Sequence, residues 1–219
     1  MSDSLLDENY KEIKERINSI NPKCKLVVVS KGRSVDEIRK LIALGQRDFG
    51  ENKVQELEGK AEKLTEEMKQ GKICWHFVGH LQGNKAKRAV WLCELIHSVD
   101  SLKLARKIND AAKEIGKVQK ALVEINISGE ENKYGIKPEE AGEIMREINE
   151  SRFANLKIVG LMGMAPIAGK EKARPYFRRL KGIAEKLNFK ELSMGMSNDY
   201  EVALQEGATI ARIGNAIFS

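Results

Sequence analysis

Three cysteines in 219 residues, Cys24, Cys74 and Cys93, are too few for a disulfide framework, and their number is odd. No two stand in CxxC spacing, so a thiolate zinc site is not expected and the three read as reduced structural thiols. Aromatic residues make up only 5% of the chain, which leaves little material for a base-stacking platform. No apolar run approaches the roughly 20 residues that a membrane helix needs. The opening MSDSLLDENYKEI is acidic and polar, unlike a signal or transit peptide. A cytoplasmic protein is the expectation. No GxGxxG turn follows an early strand, which argues against an open doubly wound sheet. His76, His80 and His97 stand at no metal-ligand spacing with acids or cysteines, so no metal is expected.

What is present is a globular composition, 42% hydrophobic and 32% charged, long enough to bury a substantial core. The net charge of +6 is a modest excess. Most basic residues are interleaved with acids, as in KEIKER and EGKAEKLTEEMK, and read as solvated helix faces. Two denser stretches, QGNKAKR (82–88) and RPYFRRLK (174–181), are where a nucleic-acid reading would have to rest. With so few aromatics, no nucleic-acid partner is expected.

Along the chain, strand-like and helical segments alternate. A helical pattern from Ser4 to Ile20 ends at Asn21-Pro22 and gives way to the valine-rich KLVVVSK. SVDEIRKLIALG follows at helical spacing, with Ser34 as N-cap and Gly45 at its C-terminus. The unit recurs: RDFGEN before a helix over 54–70, CWHFVG before 85–93, LIHSVD before 102–115, and KALVEINI before 138–150. LKIVGLMG precedes a helix over 172–187, ELSMG one over 198–206, and TIARIG closes the series. Eight strands separated by helices imply parallel pairing, because each return needs a crossover. The predicted fold is one (β/α)8 barrel domain over residues 1–219. The helix after the eighth strand is expected to be missing or very short, with the N-terminal helix covering its place.

Barrels of this kind bind ligands at the C-terminal ends of their strands. Strand one ends at Ser30-Lys31-Gly32, strand two at Gly50-Glu51-Asn52 and strand seven at Gly195-Met196-Ser197. Strand eight carries Arg212 and ends at Gly214-Asn215. A lysine ending a buried apolar strand is expected to enter the barrel mouth, where desolvation makes its amine a nucleophile for carbonyls. A solvated lysine at a strand exit is the plainer reading of Lys31. The Ser197 hydroxyl and the backbone amides at Gly214 and Asn215 offer a phosphate site after strands seven and eight. Strand eight neighbours strand one in a closed barrel, so that site would lie one cofactor length from Lys31. Arg212 shares its face with Gly214. It reads either as a ligand donor or as half of a buried ion pair with Glu124 or Asp199.

The stretches LVVVSK, FGENKVQE, WHFVGHLQGNK, IHSVD, VEINISGEENKYG, GLMGMAP, LSMGMSNDYEVAL and RIGNAIF follow one another in family order. With them the chain resembles, over almost its whole length, the pyridoxal 5′-phosphate (PLP) homeostasis proteins. This YggS/PROSC-like family is related to the N-terminal barrel of alanine racemase. The resemblance implies an imine between PLP and Lys31, a phosphate held by Ser197, Gly214 and Asn215, and a ring nitrogen facing Arg212. It also implies Asn52 in the pocket and Ser193 orienting Arg212. His76 and Met162 lie on matching motifs near the pocket or in the packing beneath it, and Lys133 and His80 are candidates for a further anion. Asn215 stands where the family usually has threonine, Gly163 likewise, and Ser219 where it usually has glycine.

An arginine at the ring nitrogen disfavours its protonation and so weakens PLP as an electron sink. Racemisation also needs a second acid–base group, which alanine racemase takes from a separate domain. None of Tyr10, Tyr134, Tyr176 and Tyr200 sits in a recognisable catalytic motif. The expected role is a non-catalytic PLP carrier and regulator of vitamin B6 pools, acting as a monomer and releasing PLP to apo-enzymes. A PLP-dependent racemase is the second reading and an RNA-binding protein the third.

Overall fold

The computed structural model describes residues 3–166 and 169–219. Eight parallel strands close into a barrel in sequence order: β1 Lys25–Val29, β2 Asp48–Glu51, β3 Cys74–Phe77, β4 Cys93–Val99, β5 Gln119–Ile125, β6 Leu156–Gly163, β7 Glu191–Ser193 and β8 Ile210–Ile213. The helices are α1 Asp3–Ile20, α2 Val35–Ala43, α3 Val54–Lys63, α4 Thr65–Lys69, α5 Ala86–Leu92, α6 Leu102–Glu114, α7 Ala141–Glu150, α8 Arg174–Lys186, α9 Tyr200–Gln205 and α10 Asn215–Phe218. None of the described helices is long and apolar enough to cross a membrane.

The expected barrel is therefore the observed one, with local differences that have physical causes. The helix anticipated over 54–70 breaks at Leu64, because the Thr65 hydroxyl turns back to the carbonyls of Ala61 (3.2 Å) and Glu62 (2.8 Å). The helix anticipated over 198–206 begins only at Tyr200. Met196 N–H donates to the Asp199 carboxylate at 2.7 Å, so residues 197–199 form a turn before that helix. Ser34 does cap α2: it forms a complete capping box with Glu37, and Gly45 follows at φ +86°. After β8 comes a single four-residue helix, α10. The long α1 packs against it and against α9.

Two apolar layers follow from strand alternation. Val27, Leu95, Leu122, Met162 and Ile210 fill part of the barrel interior. The larger cluster lies between barrel and helices and includes Val28, Phe49, Trp75, Ile96 and Phe177, together with Leu6, Tyr10, Ile13 and Ile17 of α1. Met162 thus serves as barrel filling.

Candidate functional site

Strand register brings the candidate residues to one mouth. Val29 pairs with Gly50, so Lys31 leaves the barrel level with Asn52. Val28 pairs with Ile213, which puts Gly214 beside Val29. A Cβ on Gly214 would lie 2.8 Å from the Val29 carbonyl oxygen, so only glycine lets the β8 exit pass this close to β1. Across the next gap, Ala216 N–H donates to Ser197 Oγ at 3.1 Å, tying the loop after β7 to the first turn of α10. Ser197, Gly214 and Asn215 therefore form one cluster, next to the strand that ends in Lys31.

Lys31 itself is exposed. It lies two residues past the end of β1, open to solvent rather than desolvated as its apolar strand led one to expect. What fixes it is the backbone beneath. Arg33 N–H closes a turn onto the Ser30 carbonyl at 3.0 Å, with Gly32 at φ +70°, a conformation that favours glycine. Lys60 Nζ donates to the Ser30 carbonyl (2.6 Å), to Glu51 Oε1 (2.7 Å) and to Glu56 Oε1 (2.7 Å). Ser30 Oγ donates to the same Glu51 oxygen at 2.7 Å, and Gly32 N–H to Glu56 Oε1 at 2.5 Å. Glu51 and Lys60 are buried. Burial pushes the Glu51 carboxyl up, further than the hydrogen bonds from Lys60 and Ser30 pull it down. Sequence reasoning did not single out Glu56 or Lys60; their spacing of four on an amphipathic helix looks like any surface pair.

Arg212 is buried, and its Nη1 donates to Ser193 Oγ at 2.5 Å and its Nη2 to the Gly163 carbonyl at 3.3 Å. The ion pair with Glu124 or Asp199 is not formed: no carboxylate lies within 4.0 Å of it among the described residues. Burial lowers its pKa to about 10, against the pull of the more distant Glu124 and Asp199 charges. Glu124 is buried and burial pushes its carboxyl up to about 7. Its Oε2 and the Oδ1 of Asn52 are buried with no hydrogen-bond partner among the described residues.

At the rim, the His80 ring stacks on Tyr134 with centroids 3.7 Å apart, and His80 Nδ1 lies 3.2 Å from Asp100 Oδ2. Lys133 is paired with Glu130 at 2.8 Å. Both anion candidates thus already have carboxylate partners. At the opposite mouth, Asp48, Cys74 and His76 gather ligand atoms within 4.8 Å of one another, a grouping their linear spacing did not reveal. Lys25 Nζ sits 3.2 Å from that Asp48 carboxylate and supplies the positive charge a cation would bring. Burial pushes the Cys74 thiol up to about 11.

The two basic stretches are largely engaged by acids. Lys87 pairs with Glu114 and Arg88 with Glu58 (3.1 Å). Arg174 pairs with Glu171 and Glu206 (both 2.7 Å), and Arg178 with Glu206 (3.0 Å).

The donor set fits a phosphate-bearing aldehyde. An accessible amine stands at the exit of β1, and a hydroxyl with a close-approaching glycine backbone stands at the exits of β7 and β8. Asn52, just past the exit of β2, and Glu124, near the end of β5, each keep a buried oxygen with no partner among the described residues.

Comparison with known proteins agrees with this arrangement. The alanine racemase N-terminal domain family matches residues 3–219. The pyridoxal phosphate homeostasis protein of Aquifex aeolicus is 41% identical over 201 residues, covering 89% of this chain and 86% of that protein. Its counterpart in Synechocystis is 37% identical over 216 residues, covering 95% of each. The structure of PipY from Synechococcus elongatus with PLP bound superposes with a TM-score of 0.82 at 34% identity, covering 94% of this chain and all of PipY. The barrel, the clustering of its β1, β7 and β8 exits, and these relatives place the chain in the pyridoxal phosphate homeostasis protein family, built on the alanine racemase N-terminal barrel.

Proposed function

We propose that this chain binds PLP and works in vitamin B6 homeostasis, with residues 1–219 acting as one cofactor-binding barrel domain. Lys31 would hold the cofactor covalently, and Ser197, Gly214 and Asn215 would hold its phosphate. Arg212, held by Ser193, would serve the ring nitrogen, and Asn52 would line the pocket. The observation that carries the reading is the convergence of the Lys31 exit with the Ser197–Gly214–Asn215 cluster across the β1–β8 seam.

When bound, PLP supplies an aldehyde that condenses with an amine with loss of water, and a ring that withdraws electrons from the attached carbon. The protein's own groups divide the remaining work. Lys60, Glu51 and Glu56 hold the turn that presents the Lys31 amine. The hydroxyl of Ser197 and the backbone around Gly214 satisfy phosphate oxygens. Arg212 would bring a positive charge to the ring nitrogen, which would disfavour a proton there and make the ring a weak electron sink. That disposition suits carriage over catalysis, and we read the protein as a non-catalytic carrier that delivers PLP to apo-enzymes. We take it to act as a monomer in the cytoplasm, where its three free thiols stay reduced. The neutralised basic stretches argue against a nucleic-acid role.

Reconstitution with PLP tests the reading. The loaded protein is expected to be yellow, with an absorption band that borohydride bleaches, leaving a pyridoxyl mass on Lys31. Lys31→Ala is expected to remove the band. A colourless wild-type protein, or a label on another lysine, overturns the proposal. Rapid exchange of an added amino acid's α-proton would instead favour the racemase reading.

A further inference from the structure

Beside the apolar residues Val27, Leu95, Leu122, Met162 and Ile210, a file of polar groups crosses the barrel. Arg212 Nη1 lies 2.5 Å from Ser193 Oγ, and Ser193 Oγ 2.8 Å from His97 Nδ1. His97 Nε2 lies 2.9 Å from His76 Nδ1, and His76 Nε2 2.9 Å from Asp48 Oδ1. Lys25 Nζ meets the same Asp48 oxygen at 3.2 Å. Arg212, Ser193, His97 and His76 are all buried, whereas the Asp48 and Lys25 side chains are 18% and 48% exposed. Lys25 opens β1 and Asp48 opens β2, so the file ends at the mouth opposite Lys31.

Counting protons fixes its direction. A guanidinium has no acceptor, so Ser193 Oγ must accept from Arg212. The serine hydrogen then goes to His97 Nδ1, the other polar atom in reach among the described residues. His97 carries its proton on Nε2 and donates to His76 Nδ1. His76 carries its proton on Nε2 and donates to Asp48, which only accepts when ionised. Every hydrogen along the file then has one acceptor, which leaves a single proton on each ring; burial holds His97 well below the usual histidine range. The opposite polarity would leave the Ser193 hydrogen with no acceptor in a buried site.

We propose that Asp48, His76, His97 and Ser193 are a positioning relay that sets how Arg212 presents its guanidinium to the ligand site, coupling that site to the Lys25–Asp48 pair at the far mouth. With Nη1 held by Ser193 and Nη2 by the Gly163 carbonyl, the planar fork has one orientation. The consequence for the cofactor rests on Arg212 facing its ring, as proposed above; the relay itself does not.

Two measurements separate these. In protein without cofactor, nitrogen-15 NMR of the imidazoles is expected to find His76 and His97 both neutral and protonated on Nε2 at neutral pH. A proton on Nδ1 of either ring, or a charged ring, overturns the relay whether or not the protein binds PLP. In the loaded protein, His97→Leu is expected to weaken PLP binding by about tenfold, the worth of a hydrogen bond to a charged group, and to move the absorption band. His97→Gln can accept from Ser193 and donate to His76, so it is expected to restore both. Asp48→Ala at the partly exposed end gives the same direction of change should His97→Leu not fold. Equal affinity and equal spectra for His97→Leu and His97→Gln, or for Asp48→Ala and wild type, overturn the proposal. Failure of wild type to bind PLP overturns the functional reading and leaves the relay to be decided by the tautomers.

Discussion

Glu124 is a carboxylate where water does not reach it. Burial pushes its pKa up to about 7 from the usual 4.5, with the nearby Asp100 charge adding to the shift and Arg212 opposing it. The folded protein therefore keeps a proton that the unfolded chain gives up near the ordinary carboxylate range, and stability falls as pH rises from about 4.5 to about 7. Removing the charge should remove the cost. Glu124→Gln is expected to be more stable than wild type by about 2–3 kcal/mol at pH 8, with the difference gone by about pH 4, as read from urea unfolding at both values. An equal effect at both pH values would mean that packing, not ionisation, governs the position. Little of this was legible in the sequence, where Glu124 stood only as a possible partner for Arg212. Which strand-end residues face each other depends on register, and so does the file from Arg212 to Asp48. His76 and His97 are 21 positions apart, yet their ring nitrogens meet at 2.9 Å because β3 and β4 are neighbours.

At the scale of elements, the exit of β1 is held by the strand and helix that follow it. Lys60 on α3 reaches under the turn to the Ser30 carbonyl and to the Glu51 carboxylate, with side chains only 8% and 0% exposed. Breaking one half of such a pair strands a buried charge and costs more than the intact pair contributes. Lys60→Met is expected to destabilise the fold by about 3 kcal/mol at neutral pH and to weaken PLP binding, because the Lys31 turn loosens. The double variant with Glu51→Gln should recover part of the stability. If Lys60→Met leaves both the urea midpoint and the affinity unchanged, the turn is held by its own backbone and the network is incidental. The sequence did mark the α2 cap, which depends on local pattern, and the strand end at Ser30-Lys31-Gly32, whereas for Lys31 itself the local pattern favoured a solvated lysine. It did not mark the interruption at Leu64, which arises from a threonine hydroxyl turning back onto the helix.

For the molecule as a whole, alternation of strands and helices was enough to predict a closed barrel, and the parallel ring β1 to β8 is what forms. The docking of α1 bears on whether that ring melts as one. Leu6, Tyr10, Ile13 and Ile17 are buried in the same cluster that backs the barrel strands, and Asn9 Nδ2 donates to the carbonyl of Ser219 at 2.9 Å. Arg16 adds an ion pair to Glu201 at 2.6 Å, an exposed contact of small worth. If α1 is an integral wall, its loss and the opening of the barrel are one event. Ile17→Ala creates a cavity in that shared core and is expected to cost about 2–4 kcal/mol. Trp75 is buried on β3 and Trp91 stands exposed on α5, so tryptophan fluorescence reports the barrel and its α5 wall and carries no signal from within α1, whereas far-UV circular dichroism reports all the helices. In wild type and in Ile17→Ala the two signals should therefore give one coincident urea transition, moved to lower urea in the variant. An early dichroism step without a fluorescence change would show α1 to be a detachable cover, and the barrel to be complete without it.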